Sequence, residues 1–140
     1  MRTEENKAVI QRHIDEYWNR QRPELFDDIY AADFVDHNLP PGFLPGREGA
    51  RQFNAAFLAA LPDIRITLDD LVAEGDKVVW RWTAKGTHKG PLMGIPASGK
   101  RVAMSGITID RLVEGRITES WTQYDAMGLL QQVGAMPTQG

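Results

Sequence analysis

Four side chains near the end of the chain, Glu119, Trp121, Gln123 and Asp125, recur at every second position. On an extended strand they share one face. Two acids, an amide and an indole make a poor structural core but a serviceable wall for a small-molecule pocket. A carboxyl group in such a pocket loses water, its pKa rises, and it becomes a proton acceptor useful near neutrality. Asp125 is the candidate base on this reasoning. It also stands directly before Ala126-Met-Gly-Leu-Leu, where an aspartate would serve as a helix N-cap. The two roles compete for one side chain. Glu119 is either a wall group of the pocket or the partner of an arginine, with Arg81 and Arg111 in neighbouring strands as candidates. Such a pair would be structural or would position a substrate oxygen.

The chain has three histidines. His13 falls between Val9/Ile10 and Tyr17 in a helical pattern and reads as a surface or boundary residue. His37 sits where a short extended piece meets Asn38-Leu-Pro-Pro-Gly42, a setting that suits either a catalytic group or a backbone anchor. His88 shares strand parity with Trp80 and Trp82; if those indoles face a cavity, His88 faces its rim, and otherwise it is a turn residue. Trp80, Trp82 and Trp121 fall on adjacent strands and would give a ring-bearing substrate flat apolar walls. No His-x-x-x-His or cysteine pair offers a metal site. No Gly-x-Ser-x-Gly elbow, dinucleotide fingerprint or P-loop is present. Neither metal nor cofactor is expected.

These residues need a scaffold. The 140 residues suit one domain, 1–140, with a frayed tail from residue 134. At 42% hydrophobic and 25% charged residues there is enough apolar material for a core without disulfides, and there is no cysteine to form them. A net charge of −3 with scattered basic residues argues against a nucleic-acid partner. No stretch approaches a membrane span or a leader peptide, so a cytoplasmic location is expected.

Ile10, Ile14 and Trp18 mark a first helix, Pro23 opens a shorter second one, and Phe53, Phe57 and Leu61 mark a third that Pro62 ends. The period then changes to two. Ile64, Ile66 and Leu68 alternate with polar residues, and the alternation slips by one to Leu71 and Ala73, which predicts a β-bulge. Strands over 77–87, 102–113 and 116–123 follow, separated by Glu-Gly turns and a Gly- and Pro-containing loop, and a helical turn over 126–133 closes the chain. Helices segregated from an antiparallel sheet mean α+β. The expected form is a curved antiparallel sheet, a cone-shaped half-barrel, whose concave face three N-terminal helices close. A small hydrophobic ligand would lie between sheet and helices. The opposite face of the last strand, Thr118, Ser120, Thr122 and Tyr124, is uncharged and predicts a homodimer through the outer side of the sheet.

Gly46-Arg-Glu-Gly49, Leu61-Pro-Asp63, Glu74-Gly-Asp-Lys-Val-Val-Trp-Arg-Trp-Thr83, Gly86-Thr-His-Lys-Gly90, Met93-Gly-Ile-Pro96 and Gly115-Arg-Ile-Thr-Glu-Ser-Trp121 through Gly128-Leu-Leu-Gln-Gln132 follow one another in an order that resembles the SnoaL-like polyketide cyclase (ester cyclase) family. The resemblance implies the cone of the nuclear transport factor 2-like superfold. It also implies an intramolecular aldol closure of a hydrophobic, carbonyl-containing substrate without metal or cofactor. An aspartate late in the chain is the base, and Asp125 holds the matching place. His37 or His88 would then stabilise charge on the substrate oxygen, and Tyr17, Asn54 and Arg111 would help to position it. An isomerase, dehydratase or hydrolase on the same scaffold, and a non-catalytic ligand-binding or dimerisation module, are the alternatives. The sequence departs from the family's pattern at Ala97-Ser98-Gly99, and at Ser120, where histidine is frequent.

Overall fold

The change of period from helical to alternating is where the architecture changes in the computed structural model, which describes residues 2–135. Residues 136–140 of the expected tail lie outside the described residues. Helix α1, Arg2–Arg12, starts with Glu4 and Glu5 over its positive end. It continues without a break into a π-helical segment, His13–Asn19. A π turn brings residues five apart over one another, so Trp18 lies against His13, and His13, Ile14, Tyr17 and Trp18 are all buried. An α-helical spacing leaves His13 at the boundary; the wider turn carries it inside. Pro23 opens a 3-10 turn, Pro23–Leu25, that runs into the four-residue α2, Phe26–Ile29. The expected second helix is therefore two short pieces. Helix α3 spans Arg47–Ala60.

The strands are β1, Tyr30–Asp36; β2, Arg65–Glu74; β3, Lys77–Thr87; β4, Arg101–Val113; and β5, Arg116–Tyr124, before α4, Ala126–Gln132. They form one sheet in the order β1-β5-β4-β3-β2. The four long strands make an antiparallel meander, and β1 adds to its edge parallel to β5. The fold is α+β. Its core joins the helices to the sheet through Ile10, Phe26, Ile29, Leu61, Leu112 and Ile117.

Two bulges set which side chains face inward. In β2, Leu68 opposes Trp82 and Asp70 opposes Arg81, so Asp69 is the extra residue and the slip read from the alternation is present. In β5, Leu112 opposes Ile117 but Arg111 opposes Glu119, which leaves Thr118 extra. Ile117 is fully buried. Past the bulge the inward positions are Ser120, Thr122 and Tyr124, and Glu119, Trp121 and Gln123 turn to the outer face. The two faces of the last strand are thus the reverse of those expected from simple alternation.

Among the described residues no helix is long and apolar enough to cross a membrane.

Candidate functional site

Between the helices and the inner face of the sheet lies a cavity of about 140 Å³. Trp80 and Trp82 of β3 form one wall, Phe53, Asn54 and Phe57 of α3 another, and Trp18, Tyr30 and Phe34 fill the side next to the π-helical segment. Asn38, Leu39 and Pro40 of the loop after β1 also line it. Gly106 makes room for this arrangement: a Cβ there would come to 2.5 Å from the Trp82 ring, closer than van der Waals contact allows. The indole can therefore lie across β4, and its Nε1 donates to Thr108 Oγ1, 3.0 Å away. Thr108 in turn shares a hydrogen bond of 3.0 Å with the Thr122 hydroxyl.

Asp110 is the chemically distinctive residue. It is 1% exposed and lies on the inward side of β4 among Val102, Met104 and Leu112. Trp80 Nε1 donates to its Oδ2 at 2.9 Å, and the Ser120 hydroxyl donates to its Oδ1. Burial pushes its carboxyl up to about 6, against the two hydrogen bonds that favour the charged form, and the charge of Asp36 adds to the rise. Asp36 lines the same cavity, and its carboxyl is also raised by burial. Cross-strand register puts Asp36 beside Ser120 and Ser120 beside Asp110, an acid–hydroxyl–acid row over three strands. Among the described residues no lysine or arginine lines the cavity.

His13 closes the helical side. Its Nε2 lies 3.2 Å from Trp18 Nε1, which can only donate, and 2.7 Å from the Tyr30 hydroxyl. Burial lowers its pKa to about 3, so the ring is neutral. Asn54 Nδ2 donates to the Tyr17 hydroxyl at 3.2 Å and, at 3.4 Å, to that of Tyr30.

Of the residues singled out from the sequence, Trp80, Trp82 and Asn54 meet in this cavity. Tyr17 is buried behind its wall, against Asn54. Asp125 is elsewhere: it is exposed, and its Oδ1 accepts from Gly128 N at 2.9 Å as the N-cap of α4. The cap occupies the carboxylate, and Asp125 does not line the cavity, although its neighbour Tyr124 does. Gly128 is part of the device, since a Cβ there would strike the Asp125 carboxyl. His88 is fully buried, but at the base of the loop 88–100, where its Nδ1 meets the Ser98 hydroxyl at 2.9 Å and Ser98 N at 3.2 Å. It pins that loop and does not reach the cavity rim.

His37, Glu119, Arg111 and Trp121 do come together, but on the outer face. Glu119 accepts from Arg111 Nε at 2.7 Å and pairs with His37 Nε2 at 2.9 Å. The His37 ring stacks on Trp121 with centroids 4.8 Å apart. Arg81, the other candidate partner for Glu119, binds Asp70 instead. The face expected to pair two copies, Ser120, Thr122 and Tyr124, lines the cavity, and Thr118 is buried in the bulge. Asp110, Asp36, His13 and Tyr30 were not legible as site residues. The signal for Asp110 was an acid at the parity of Val102, Met104 and Leu112, a polar group where a core residue belongs.

An α+β cone around an aromatic cavity that carries a buried acid is a small-ligand fold, and comparison with known proteins names its family. Residues 8–133 match the SnoaL-like polyketide cyclase model, and the chain belongs to that family. The aklanonic acid methyl ester cyclase DauD of Streptomyces sp. (strain C5) is 32% identical over 77% of this chain and 71% of its own length. TsrD from Streptomyces laurentii superposes with a TM-score of 0.82 at 34% identity, covering 92% of this chain and 97% of that one. A SnoaL-like polyketide cyclase of Agrobacterium tumefaciens shares the fold, with a TM-score of 0.77 at 21% identity over 92% of this chain and 98% of its own. Ser120, singled out from the sequence as a departure, is one of the two residues that hydrogen-bond Asp110.

Proposed function

We propose that the chain is a cyclase-type enzyme in which Asp110, and not Asp125, takes a proton from an activated carbon of a hydrophobic carbonyl compound. The observation that carries this reading is the setting of Asp110: a carboxyl sealed from bulk water, titrating at about 6, and open to an aromatic cavity. At pH 7 such a group is mostly ionised yet basic enough to accept a proton from carbon. Trp80 and Ser120 hold it in place while it does so. Loss of the proton leaves an enolate, which closes on a second carbonyl of the same molecule; Asp110 returns the proton to the new oxygen. Atoms balance, because the reaction moves one proton from carbon to oxygen and forms one carbon–carbon bond. Two acids and no cation in the lining disfavour a substrate with a free carboxylate or phosphate. The substrate class is therefore an uncharged, ring-bearing ketone or ester.

A non-catalytic ligand-binding module is the second reading. It is favoured by the fact that both Asp110 oxygens already have a donor, as a purely structural buried acid would. Opening of 5-nitrobenzisoxazole separates the two, because it needs only a carboxylate base in a dry pocket and reports by colour. The enzymatic reading expects turnover that disappears in Asp110→Asn. Equal rates for the two proteins would remove Asp110 from the mechanism. Aklanonic acid methyl ester, the compound in the name of the DauD relative, is the first polyketide to test. Ring closure preserves its mass, whereas hydrolysis adds water.

We also infer self-association through the outer face of the sheet, with residues other than those the alternation indicated. Val72, Val79, Ile109 and Trp121 are register neighbours across four strands and form an apolar row there. A charged row, Glu74, Lys77, Arg111 and Glu119, runs alongside it.

A further inference from the structure

The two hydroxyls beside Trp82 bring one proton more than the protein uses. Trp82 Nε1 can only donate, and it donates to Thr108 Oγ1 at 3.0 Å. Thr108 Oγ1 and Thr122 Oγ1 lie 3.0 Å apart and share one hydrogen bond. Two hydroxyls carry two protons, and that bond takes one of them. The count is the same whichever hydroxyl donates: if Thr108 gives its proton to Thr122, the Thr122 proton is left over, and the reverse also holds. Neither hydroxyl makes a further hydrogen bond among the described residues. Both threonines line the cavity. Thr108 is 5% exposed, whereas Thr122 is only partly buried. Thr122 is also held in place: its backbone N–H donates to Asn38 Oδ1 at 2.7 Å, and its register partner across β4 is Thr108 itself. An O–H fixed in a cavity wall and left without an acceptor is matched by an acceptor on what the cavity binds.

The register indicates which acceptor. Asp110 and Ser120 are direct partners across β4 and β5, and so are Thr108 and Thr122, two residues away on each strand. All four line the cavity. The two rows are therefore about 6.5–7 Å apart. One row carries the carboxyl of Asp110, with Asp36 beyond Ser120; the other carries the spare hydroxyl proton. An H–C–C=O unit with a contact of about 3 Å at either end spans such a gap. We propose that the Thr108–Thr122 pair, through the Thr122 hydroxyl, binds the carbonyl oxygen of the ligand and so fixes which way round a ketone or ester lies in the cavity. The inference rests on the reading that Asp110 takes a proton from carbon, and it supplies the other end of that step. The proton leaves at the acid row, and the electrons move into the carbonyl oxygen at the hydroxyl row. The acids repel an oxygen that gains negative charge, and the hydroxyl gives it a donor. Accepting from Trp82 makes the Thr108 hydroxyl a better donor, which favours the order Trp82, Thr108, Thr122, ligand.

Two substitutions isolate the hydroxyl. Thr122→Val removes it and keeps a β-branched side chain that suits a strand. Thr122→Ser retains it. The probe is acetophenone labelled with 13C at the carbonyl, observed by NMR in the presence of the natural chain and each variant. A carbonyl that accepts a hydrogen bond moves downfield. The expected result is a downfield displacement with the natural chain and with Thr122→Ser, and its disappearance with Thr122→Val. α-Methylstyrene, in which a methylene group replaces the carbonyl oxygen, supplies the second readout. The ratio of the affinity for acetophenone to that for α-methylstyrene should fall about tenfold in Thr122→Val, the worth of one neutral hydrogen bond. The isostere also reports on the fold: Thr122→Val should bind it as the natural chain does, because only the ketone loses a partner. A downfield displacement that persists in Thr122→Val, its absence with the natural chain, or an unchanged affinity ratio would overturn the proposal. Neither readout needs turnover, and benzisoxazole opening by the natural chain and Asp110→Asn tests the base without a carbonyl. The oxygen site and the base assignment can therefore fail separately.

Discussion

Trp80 and Asp110 meet diagonally across the β3–β4 pair: the direct partner of Trp80 is Thr108, and the indole reaches past it to give Asp110 Oδ2 a hydrogen bond of 2.9 Å. The same ring is thus a wall of the cavity and a stabiliser of the carboxylate. Its contribution runs opposite to that of burial, which raises the pKa of Asp110, and is smaller. Trp80→Phe keeps most of the wall and deletes the donor. The midpoint of the pH–rate curve for benzisoxazole opening, which should lie near 6 in the natural chain, is expected to move up by about one unit. An unchanged midpoint would show that the indole serves only as packing.

Asp110 also predicts a trade of stability for activity. Its carboxyl titrates at about 6 when folded and at an ordinary 3.8 when unfolded. Between those values the folded chain holds a proton that the unfolded chain has released, so stability falls as pH rises from about 4 to 6 and is level above. The loss amounts to about 3 kcal/mol from this one group. Asp110→Asn cannot ionise and still presents an acceptor to Trp80 and a partner to Ser120. Relative to the natural chain, it should gain stability between pH 4 and 6 and retain the gain at pH 8 while losing turnover. Urea denaturation at pH 4 and pH 8 measures this; a variant destabilised at both would mean that the acid is there to build the fold.

His13 gives the contrary acid limb. Its ring titrates near 3 in the folded chain and at 6.5 when unfolded, because burial opposes the charge. Below 6.5 the unfolded chain takes up a proton that the folded chain refuses, so stability contributed by this group is lost as pH falls from 6.5 to 3. Removing the ring removes the limb. His13→Gln, which keeps the acceptor for Trp18 and Tyr30, should resist acid denaturation better than the natural chain across that window. Denaturation midpoints that fall in parallel for the two proteins would assign the acid lability to other groups.

Much of the scaffold was legible because burial has a period. Ile10, Ile14 and Trp18 for the first helix, the change to alternation at Ile64, and the slip before Leu71 each left a pattern in residue type. The site was harder to see for a specific reason. Ile117 and Trp121 share parity and are both apolar, so the alternation of the last strand reads as continuous. The extra residue at Thr118 reverses the faces between them and leaves no mark of its own. Simple alternation consequently puts Asp125, Glu119 and Trp121 on the cavity side and Ser120 and Thr122 on the outside. His13 shows a similar shift, because a π turn moves a boundary position inward. Trp80 and Trp82, on a strand without such an insertion, lie where their parity puts them, and Asn54, suggested by the family resemblance, lies on the cavity side of α3.

Asp125 illustrates the difference that placement makes. As an exposed N-cap it accepts from Gly128 N, and substitution by alanine should cost about 1 kcal/mol of stability. Benzisoxazole opening and its pH midpoint should be those of the natural chain. A variant that folds normally but loses turnover would return this residue to the site and displace Asp110.

The outer face supplies the last test. Val72 is 61% exposed and Ile107 48%, and both stand on the side of the sheet opposite to the cavity. With Val79, Ile109 and Trp121 they give an apolar band bordered by Lys77, Arg111 and Glu119, a pattern that two copies related by a twofold axis can bury against each other. Charge introduced into the middle of that band should oppose association, because each copy would bring its own like charge to the contact. Ile109→Lys is therefore expected to sediment as a monomer where the natural chain sediments as a dimer. The cavity is on the other side of the sheet, so benzisoxazole opening per chain should persist in the variant. A natural chain that remains monomeric at every concentration would end the inference, and a dimer unaffected by Ile109→Lys would move the contact to another surface.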